Sequence, residues 1–291
     1  MAKALVLLSG GLDSRLACKI LQEQMQVIAL HIKTPFSKDN KKEIQDFCDK
    51  EKIKLHILDT TKGKLFQEYI VMLRHPKHSR GVALNPCIDC HIFMLKKAKE
   101  FADKKGIEVI ATGEVLGERP LSQKKKALIL IQEEAGYDIL RPLSAKLLPL
   151  TEAERKGLVT RNQLLDIQGR QRKRQIELAK DYRIDYPNAG GGCLLCEKEY
   201  CKKLKPLLAG KISYNDIKLL NIGRHFLGSQ IILGRNQEEN LILEQESGIL
   251  VVPEQPGATA LIKNKKLIDK AKELIQEYSR HKIKKFGIKI K

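Results

Sequence analysis

The sequence contains no apolar run that approaches the roughly 18 residues of a membrane-spanning helix. Its first apolar run, Leu5–Leu8, is too short for the apolar region of a secretory signal and leads directly into two glycines. Internal repeats and low-complexity tracts are also absent. We therefore expect a globular cytoplasmic protein with neither a membrane span nor a leader.

Acidic residues are scarce compared with basic ones. The 291 residues include 54 Lys and Arg against 35 Asp and Glu, which gives a net charge of +19. Such an excess favours a polyanionic partner, RNA or DNA first, although a merely solvated basic surface is the alternative. The hydrophobic content of 42% is enough for a core, and the length suits one large or two ordinary domains.

Two common phosphate-loop motifs, Gly-x-x-x-x-Gly-Lys-Ser/Thr and Gly-x-Gly-x-x-Gly, are missing. A different arrangement occurs where the first apolar run ends at Ser9-Gly10-Gly11 and a helical pattern starts, with Asp13 or Ser14 as the predicted cap. A strand, a glycine turn and a helix N-terminus together predict an anion site, because backbone N–H groups and the helix dipole both point at the ligand. An ordinary glycine turn before a helix is the alternative.

The first two-thirds of the chain alternates between strand and helix patterns. Strands are predicted at 27–32, 54–58 and 107–111, with 139–143 ending the sheet. Helices are predicted at 41–50 and 66–73, and Asn85–His91 leads into a long helix that ends near residue 105. This order predicts an α/β fold with a parallel, doubly wound sheet, in which ligands bind beyond the carboxyl ends of the strands. The loop after the fourth strand should face that crevice, with Gly113 allowing close approach and Glu114, Arg119 and Gln123 as polar candidates.

Seven cysteines in an intracellular chain are not expected to form disulfides. Cys18 and Cys48 stand alone in helical patterns and should be buried. The other five fall into two groups: Cys87 with Cys90, and Cys193 with Cys196 and Cys201. A C-x-x-C pair at a helix N-terminus suits metal ligation, sulfur chemistry or redox activity.

The character of the chain changes near residue 205, which predicts a first domain over 1–205 and a smaller, basic α+β domain over 206–291. Short strands are predicted at 222–226, 230–236 and 241–243. Eleven Lys or Arg lie between Lys263 and Lys291. A further basic cluster is predicted to contact a nucleic-acid backbone, with a solvated helix start as the alternative. It consists of Arg170, Arg172, Lys173 and Arg174.

Four motifs together resemble the PP-loop ATP pyrophosphatase family, and within it the iron–sulfur-dependent tRNA 2-thiouridylase relatives. The motifs are Ser9–Ser14, Asn85-Pro86-Cys87-Ile88-Asp89-Cys90-His91, Ala111–Glu114 and Gly191–Leu195. The C-terminal stretch resembles the RNA-associated NFACT-R domain through Gly223–Phe226 and Gly234–Asn236. The resemblance implies a thiouridylase that adenylates a uridine carbonyl oxygen of tRNA with ATP, releases pyrophosphate, and then lets sulfur displace AMP.

The resemblance also implies site residues. ATP would be held by Leu8, Ser9, Gly10, Gly11, Leu12, Asp13, Ser14, Ile32 and Gly113. Asp13 would also position Mg²⁺, a hard cation that prefers oxygen ligands. Catalytic roles would fall to Asp13, Cys87 and Cys193. A [4Fe–4S] cluster with one open iron would be held by Cys87, Cys90 and Cys193, with Cys196 as a further candidate.

Several alternatives stay open. The same cysteines suit a persulfide relay, and Cys87, Cys90, Cys193 and Cys196 together have the paired arrangement of a zinc site. Other readings are a PP-loop enzyme with a different adenylation and a non-catalytic RNA-binding protein. The expected partners are tRNA, a sulfur donor and a second copy of the chain, while the modified uridine and its 2 or 4 position stay open.

Overall fold

The computed structural model describes residues 1–37, 39–78, 83–187 and 193–291. The chain divides into two compact units, Met1–Cys193 and Leu194–Lys291. The predicted boundary after residue 205 lies inside helix α8 (Lys198–Leu208), whereas the observed division precedes this helix. In the described part of the chain, no helix is long and apolar enough to cross a membrane.

The first unit is built on a parallel four-stranded sheet. Its strands are β1 (Lys3–Leu7), β2 (Gln26–Lys33), β3 (Lys54–Asp59) and β4 (Val109–Thr112). They are ordered β3-β2-β1-β4, with every neighbouring pair parallel. The predicted parallel α/β fold is therefore confirmed. The stretch predicted at 139–143 is not a full strand, because Leu140 forms only an isolated parallel bridge with Ala111.

Seven α-helices occur among the described residues of this unit. They are α1 (Leu12–Gln22), α2 (Lys41–Lys50), α3 (Gly63–Arg74), α4 (Cys87–Lys105), α5 (Lys125–Ala135), α6 (Glu152–Arg155) and α7 (Lys173–Asp181). Helix α2 has the predicted bounds and α4 has the predicted end, whereas α5 was not predicted. Helix α4 ends at Gly106, whose left-handed φ of 62° suits a residue without a Cβ.

The helices cover both faces of the sheet, as a doubly wound fold requires. Successive strand residues point to opposite faces, so Val6 packs with apolar side chains of α1, α2 and α7. Leu5 and Ile110 face the other way and pack against Ala98 and Ala102 of α4. Burial of the β1 residues on both sides explains why this strand reads as a continuous apolar run.

The predicted cap of α1 is wrong. The residue before the helix is Gly11, in an extended conformation, and no side chain caps the helix. Ser14 lies inside the first turn, and its hydroxyl donates to the Gly11 carbonyl oxygen (2.9 Å). The first-turn N–H groups of α1 are thereby left for a ligand.

The second unit contains an antiparallel sheet and four α-helices among its described residues. The strands are β5 (Arg224–Phe226), β6 (Ile231–Leu233), β7 (Ile249–Pro253), β8 (Ala260–Ile262) and β9 (Phe286–Ile290), ordered β5-β6-β8-β7-β9. Three helices join α8: α9 (Tyr214–Leu219), α10 (Gln237–Gln245) and α11 (Ile268–Glu277). The predicted strand at 241–243 is wrong, because it lies within α10. The Asn236 side chain accepts from the Glu239 N–H and starts this helix, a capping signal that outweighs the short apolar run.

Candidate active site

The order of the strands creates a crevice at the carboxyl end of the sheet. The chain runs from β1 outward to β2 and β3 on one side, whereas β4 lies on the other side of β1. At such a reversal the loops after the two central strands diverge and leave room for a ligand. The Ser9–Gly11 turn leaves β1 at this edge, and the loop from Gly113 leaves β4 beside it.

Three side chains hold the carbonyl groups of the Ser9–Gly11 turn. His31 Nδ1–H donates to the Leu8 oxygen (2.9 Å), Asn40 to the Ser9 oxygen (2.9 Å) and Arg15 Nε–H to the Gly10 oxygen (2.8 Å). In a trans peptide the N–H group of the following residue points in the direction opposite to the carbonyl group, so the groups concerned are the N–H groups of Ser9, Gly10 and Gly11. The N–H groups of three successive residues are therefore directed away from these partners, as an anion-binding turn requires.

Arg15 and Asn40 are supporting residues that sequence reasoning missed. Arg15 is 5% exposed, lies over the Phe47 ring at 5.0 Å and donates to the Asp185 carbonyl oxygen (2.6 Å). The sequence shows only an arginine between Ser14 and Leu16, and the burial that marks its role is visible only in the structure. Burial lowers the pKa of His31, which suits a neutral ring that donates from Nδ1.

Gly113 brings the loop after β4 against the first turn of α1. A Cβ at this position would lie 2.5 Å from the Ser14 nitrogen and 2.6 Å from the Asp13 carbonyl carbon. Because those atoms belong to backbone, no larger residue fits without moving the helix start. The loop after β4 is thus in direct contact with the helix that follows the Ser9–Gly11 turn.

Charged side chains gather around Asp13. Arg172 Nη2 lies 3.4 Å from Asp13 Oδ2, and Arg172 Nε lies 3.9 Å from Glu118 Oε1. Burial raises the pKa of Asp13, while Arg172 and then Arg119 act in the opposite direction. Burial followed by the charge of Asp13 also raises the pKa of Glu118. Arg172 was predicted as a nucleic-acid contact, and Glu118 was not predicted as a site residue.

Glu114, a polar candidate, is a buried structural anchor. Its Oε1 bonds His91 Nδ1 (2.7 Å), and its Oε2 accepts from Arg141 Nε (3.0 Å) and the Thr112 hydroxyl (3.0 Å). Burial alone would raise the pKa of Glu114, but the neighbouring Arg141 and His91 lower it to about 2. The group is therefore ionised at neutral pH, and it ties α4 to the loop after β4.

The other two polar candidates of this loop hold its turn together. The side-chain oxygen of Gln123 accepts from the Arg119 N–H (2.9 Å), and the backbone carbonyl oxygen of Gln123 accepts from the Gly117 N–H (2.7 Å). The Arg119 side chain acts electrostatically on Asp13 and Glu118. Arg119 therefore belongs to the charged group around Asp13.

Two of the predicted cysteine ligands act on one tyrosine. The Tyr69 hydroxyl lies 3.2 Å from Cys90 Sγ, and the pKa of Tyr69 is raised by burial, then by Cys90 and then by Cys193. Cys87 is the first residue of α4, so it lies one turn before Cys90 on the same helix. None of the seven cysteines forms a disulfide. Within the described ranges, no three His, Cys, Asp or Glu side chains are grouped closely enough to hold a metal ion.

A family model described as "Thiamine biosynthesis protein (ThiI)" matches residues 1–146, half of the chain, and covers the sheet, the Ser9–Gly11 turn, α4 and Gly113. The chain belongs to the ThiI family. The matched segment is the part of the molecule in which the two loops meet and the C-x-x-C pair begins a helix. The fold is that of a PP-loop α/β domain, with a separate antiparallel sheet in the second unit.

Curated relatives of this ThiI-family chain carry names from tRNA thiolation. The chain is 29% identical over 159 residues to the tRNA-specific 2-thiouridylase MnmA of Campylobacter concisus, covering 50% of this chain and 46% of that protein. It is 30% identical over 143 residues to a probable tRNA sulfurtransferase of Methanocaldococcus jannaschii, covering 48% and 36%. The chain thus matches less than half the length of these relatives.

A crystal structure of a predicted subunit of tRNA methyltransferase from M. jannaschii is also similar, at 17% identity and a TM-score of 0.35. The similar region covers 49% of this chain and 69% of the chain in that crystal structure. A likeness at this score does not bear on function.

The remaining cysteines of the ThiI-family chain differ in surroundings. Cys18 and Cys48 are buried, as predicted, and burial raises the pKa of Cys18 and raises that of Cys48 to about 11. Cys201 is buried in α8 and its thiol donates to the Leu195 carbonyl oxygen (3.3 Å). Cys196 ends a short 3₁₀ turn and is exposed, as is Cys193. The glycines at 190–192, part of the predicted cysteine motif, lie outside the described residues.

Ile32 and the predicted RNA contacts are distributed over the first unit. Ile32 lies near the end of β2 and packs in the core with Leu30, so it offers a ligand mainly its backbone. The basic cluster is at the start of α7, where Arg174 Nη1 bonds Asp166 (2.6 Å). Arg170 and Lys173 are exposed, whereas Arg172 turns to Asp13.

Proposed function

We propose that this protein thiolates a uridine of tRNA in an ATP-dependent reaction. The observation that carries the proposal is the Ser9–Gly11 turn at the sheet reversal, with its carbonyls held by His31, Asn40 and Arg15. The names of the relatives, tRNA-specific 2-thiouridylase and tRNA sulfurtransferase, support sulfur as the group transferred. The C-x-x-C pair at the start of α4 supports the same chemistry.

The first step is adenylation of the uridine. A carbonyl oxygen of the base attacks the α-phosphorus of ATP, and the bond to the β-phosphate breaks, which releases pyrophosphate. The backbone N–H groups of the turn and the N-terminus of α1 bind the phosphates, and Leu8–Ser14 with Gly113 form the floor of the site. Asp13 positions the Mg²⁺ that enters with ATP, and the adenine lies beyond β2 near Ile32.

The second step transfers sulfur. The base carbon that carries the adenylated oxygen is attacked by a sulfur nucleophile, and AMP leaves with the former carbonyl oxygen. A phosphate ester is a far better leaving group than an oxide, which explains why ATP is needed. The α4 cysteines and Cys193 are the groups of this chain that suit the handling of sulfur.

Cys87, Cys90 and Cys193 carry the thiol groups that ligate a [4Fe–4S] cluster, but among the described residues they are not grouped closely enough to hold a metal ion, so binding a cluster would require them to move together. Three thiolates ligate three irons, and both Cys90 and Cys193 act on the Tyr69 hydroxyl, which supports their closeness. Such a cluster, held by three cysteines, would supply an open iron position for the sulfur that is to be transferred. The residues of this chain would hold the cluster through the first turn of α4 and the residue at the end of the first unit.

We further propose that the second unit and the exposed residues at the start of α7 bind tRNA. The second unit holds eleven Lys or Arg from Lys263 onward against Asp269, Glu273 and Glu277. Clustered cations release counterions from nucleic acid and supply sequence-independent affinity. The NFACT-R-like stretch of the sequence supports the same assignment.

The test compares wild type with Cys193→Ala, both purified without oxygen and incubated with tRNA, ATP, Mg²⁺ and sulfide. We expect thiouridine and pyrophosphate from wild type, at least a hundredfold less thiouridine from the variant, and equal tRNA affinity in both. Cys18→Ala is the control, since Cys18 is buried in the core. Undiminished thiolation by Cys193→Ala would remove this residue from the mechanism.

Metal and acid-labile sulfide analysis of the same preparations separates the alternatives. About four irons and four sulfides per chain, lost in Cys193→Ala, support the cluster. Stoichiometric zinc without labile sulfide supports a zinc site and another adenylation. Thiolation without any metal that requires a persulfide donor in place of sulfide supports a persulfide relay through the same cysteines.

A further inference from the structure

Arg172 connects a distant part of the chain to the Ser9–Gly11 turn. It immediately precedes α7, and its guanidinium lies between the carboxylates of Asp13 (3.4 Å) and Glu118 (3.9 Å). Helix α7 packs on the same core as α1, which fixes the helix start beside Asp13. Arg172 therefore lies beside the part of the crevice that is proposed to bind the phosphates. Tertiary packing brings it there, because Arg172 and Asp13 are far apart in the sequence.

The polar atoms around Arg172 are incompletely satisfied. Asp13 Oδ1, Arg172 Nε and Gln175 Oε1 are buried, and none has a hydrogen-bond partner among the described residues. Gln175 is fully buried, and its Nε2 lies 3.4 Å from Glu118 Oε2. Buried polar atoms without partners cost folding free energy, so their presence in one group indicates a ligand that completes them.

The unsatisfied atoms define what that ligand must carry. The Nε–H of Arg172 needs an acceptor, whereas Asp13 Oδ1 and Gln175 Oε1 need a donor or a cation. A phosphate oxygen meets the first need, and a magnesium ion, directly or through its bound water, meets the second. A magnesium-bound polyphosphate brings both, which a base or a ribose does not.

We propose that Arg172 and Glu118 complete the nucleotide-phosphate site of this protein. Arg172 binds the phosphates, Glu118 joins Asp13 in holding the Mg²⁺ that arrives with the nucleotide, and Gln175 positions Glu118. Without nucleotide, the guanidinium neutralises the two carboxylates; with nucleotide, the cation takes its place and Arg172 turns to the phosphates. The inference rests on the proposed function only in taking ATP as the nucleotide.

The test measures nucleotide binding without tRNA and without turnover. Titration calorimetry with α,β-methylene-ATP and Mg²⁺ should show at least tenfold weaker binding to Arg172→Gln than to wild type. Arg172→Lys should recover part of the loss, because it keeps the charge but not the planar fork. The control is Lys180→Gln, which removes the same charge from an exposed position of α7 and should stay within about twofold of wild type.

A second variant tests the cation. Glu118→Gln should raise the Mg²⁺ concentration needed for half-maximal nucleotide binding by about tenfold. Thermal melting without nucleotide shows whether each variant is folded. If Arg172→Gln does not fold, the magnesium dependence of Glu118→Gln still decides, and an unchanged dependence would overturn the inference.

The outcomes separate this inference from the proposed function. Wild-type nucleotide affinity in folded Arg172→Gln, together with weaker tRNA retention on filters, overturns the inference and makes Arg172 an RNA contact. Weaker nucleotide binding to Arg172→Gln in a protein that forms no thiouridine sustains the inference and overturns the proposed function. Absence of nucleotide binding to wild type overturns both.

Discussion

At the scale of single residues, the candidate site depends on partners that hold each functional group. His31, Asn40 and Arg15 hold the carbonyl groups of the Ser9–Gly11 turn. The donor atoms that make these hydrogen bonds are not available to a phosphate. Glu114 likewise connects the loop after β4 with His91 and Arg141. The chemistry assigned to the PP-loop therefore relies on buried polar side chains around it.

The Glu114–Arg141 pair should contribute strongly to stability. Glu114→Gln leaves the Arg141 guanidinium buried beside a neutral amide, and breaking such a pair costs about 3–5 kcal/mol. Urea unfolding at pH 7 measures the loss. Glu133→Gln on the exposed side of α5 is the matched control and should change the free energy by less than about 0.5 kcal/mol.

The same variant should change the acid sensitivity of folding. The pKa of Glu114 in the folded protein, about 2, lies below the ordinary value of 4.5, so its contribution is complete above pH 4.5 and is lost as the pH falls toward 2. The difference in unfolding free energy between wild type and Glu114→Gln should therefore shrink over this range. A constant difference from pH 6 down to pH 3 would contradict this account.

At the scale of elements, the site is made where α1 meets the loop after β4. Gly113→Ala places a Cβ 2.5 Å from the Ser14 backbone nitrogen, so the helix start or the loop must move. We expect a loss of about 1–3 kcal/mol in unfolding free energy, the range for overpacked positions, and at least tenfold weaker nucleotide binding. Urea unfolding and calorimetric titration measure the two effects.

Gly210→Ala is the control for this substitution. A Cβ at Gly210 meets no atom within 4 Å, and the backbone there is not left-handed. It should change stability by less than about 0.5 kcal/mol and leave nucleotide affinity unaltered. Equal nucleotide affinity in Gly113→Ala and Gly210→Ala would separate Gly113 from the nucleotide site.

At the scale of the whole molecule, the net charge of +19 should govern tRNA affinity through salt. Lys284, Lys285 and Lys289 are exposed in the second unit. Changing all three to Gln should reduce the slope of log affinity against log salt by up to about 2–3, since each lost phosphate contact removes about 0.9. Filter binding of tRNA over a range of salt concentrations measures the slope.

A second triple variant, which removes the same number of positive charges from the first unit, tests whether any loss of net charge has the same effect on tRNA binding. Lys3, Lys104 and Lys105 are exposed in the first unit, and their change to Gln also removes three positive charges. We expect a slope close to that of wild type. The same reduction in both triple variants would show that tRNA binding does not depend on the second unit in particular.

The sequence predicted local structure well where one periodicity dominated. The bounds of α2, the end of α4 and the parallel sheet were correct, because apolar spacing over ten or more residues leaves little ambiguity. It failed at 241–243, where three apolar residues read as a strand but the Asn236 cap begins α10. Short apolar runs do not distinguish strand from helix, so the capping residue decided.

The sequence by itself determined the chemical inventory of this protein: a glycine turn between strand and helix, a C-x-x-C pair at a helix start, and a strong positive charge. These features depend on neighbouring residues, and local geometry follows from local spacing. Only the tertiary structure decided that Gly113 contacts Ser14 and that Arg172 lies on Asp13, 159 residues away in the chain. Such pairs depend on strand order and on the core shared by α1 and α7, and no local pattern encodes them.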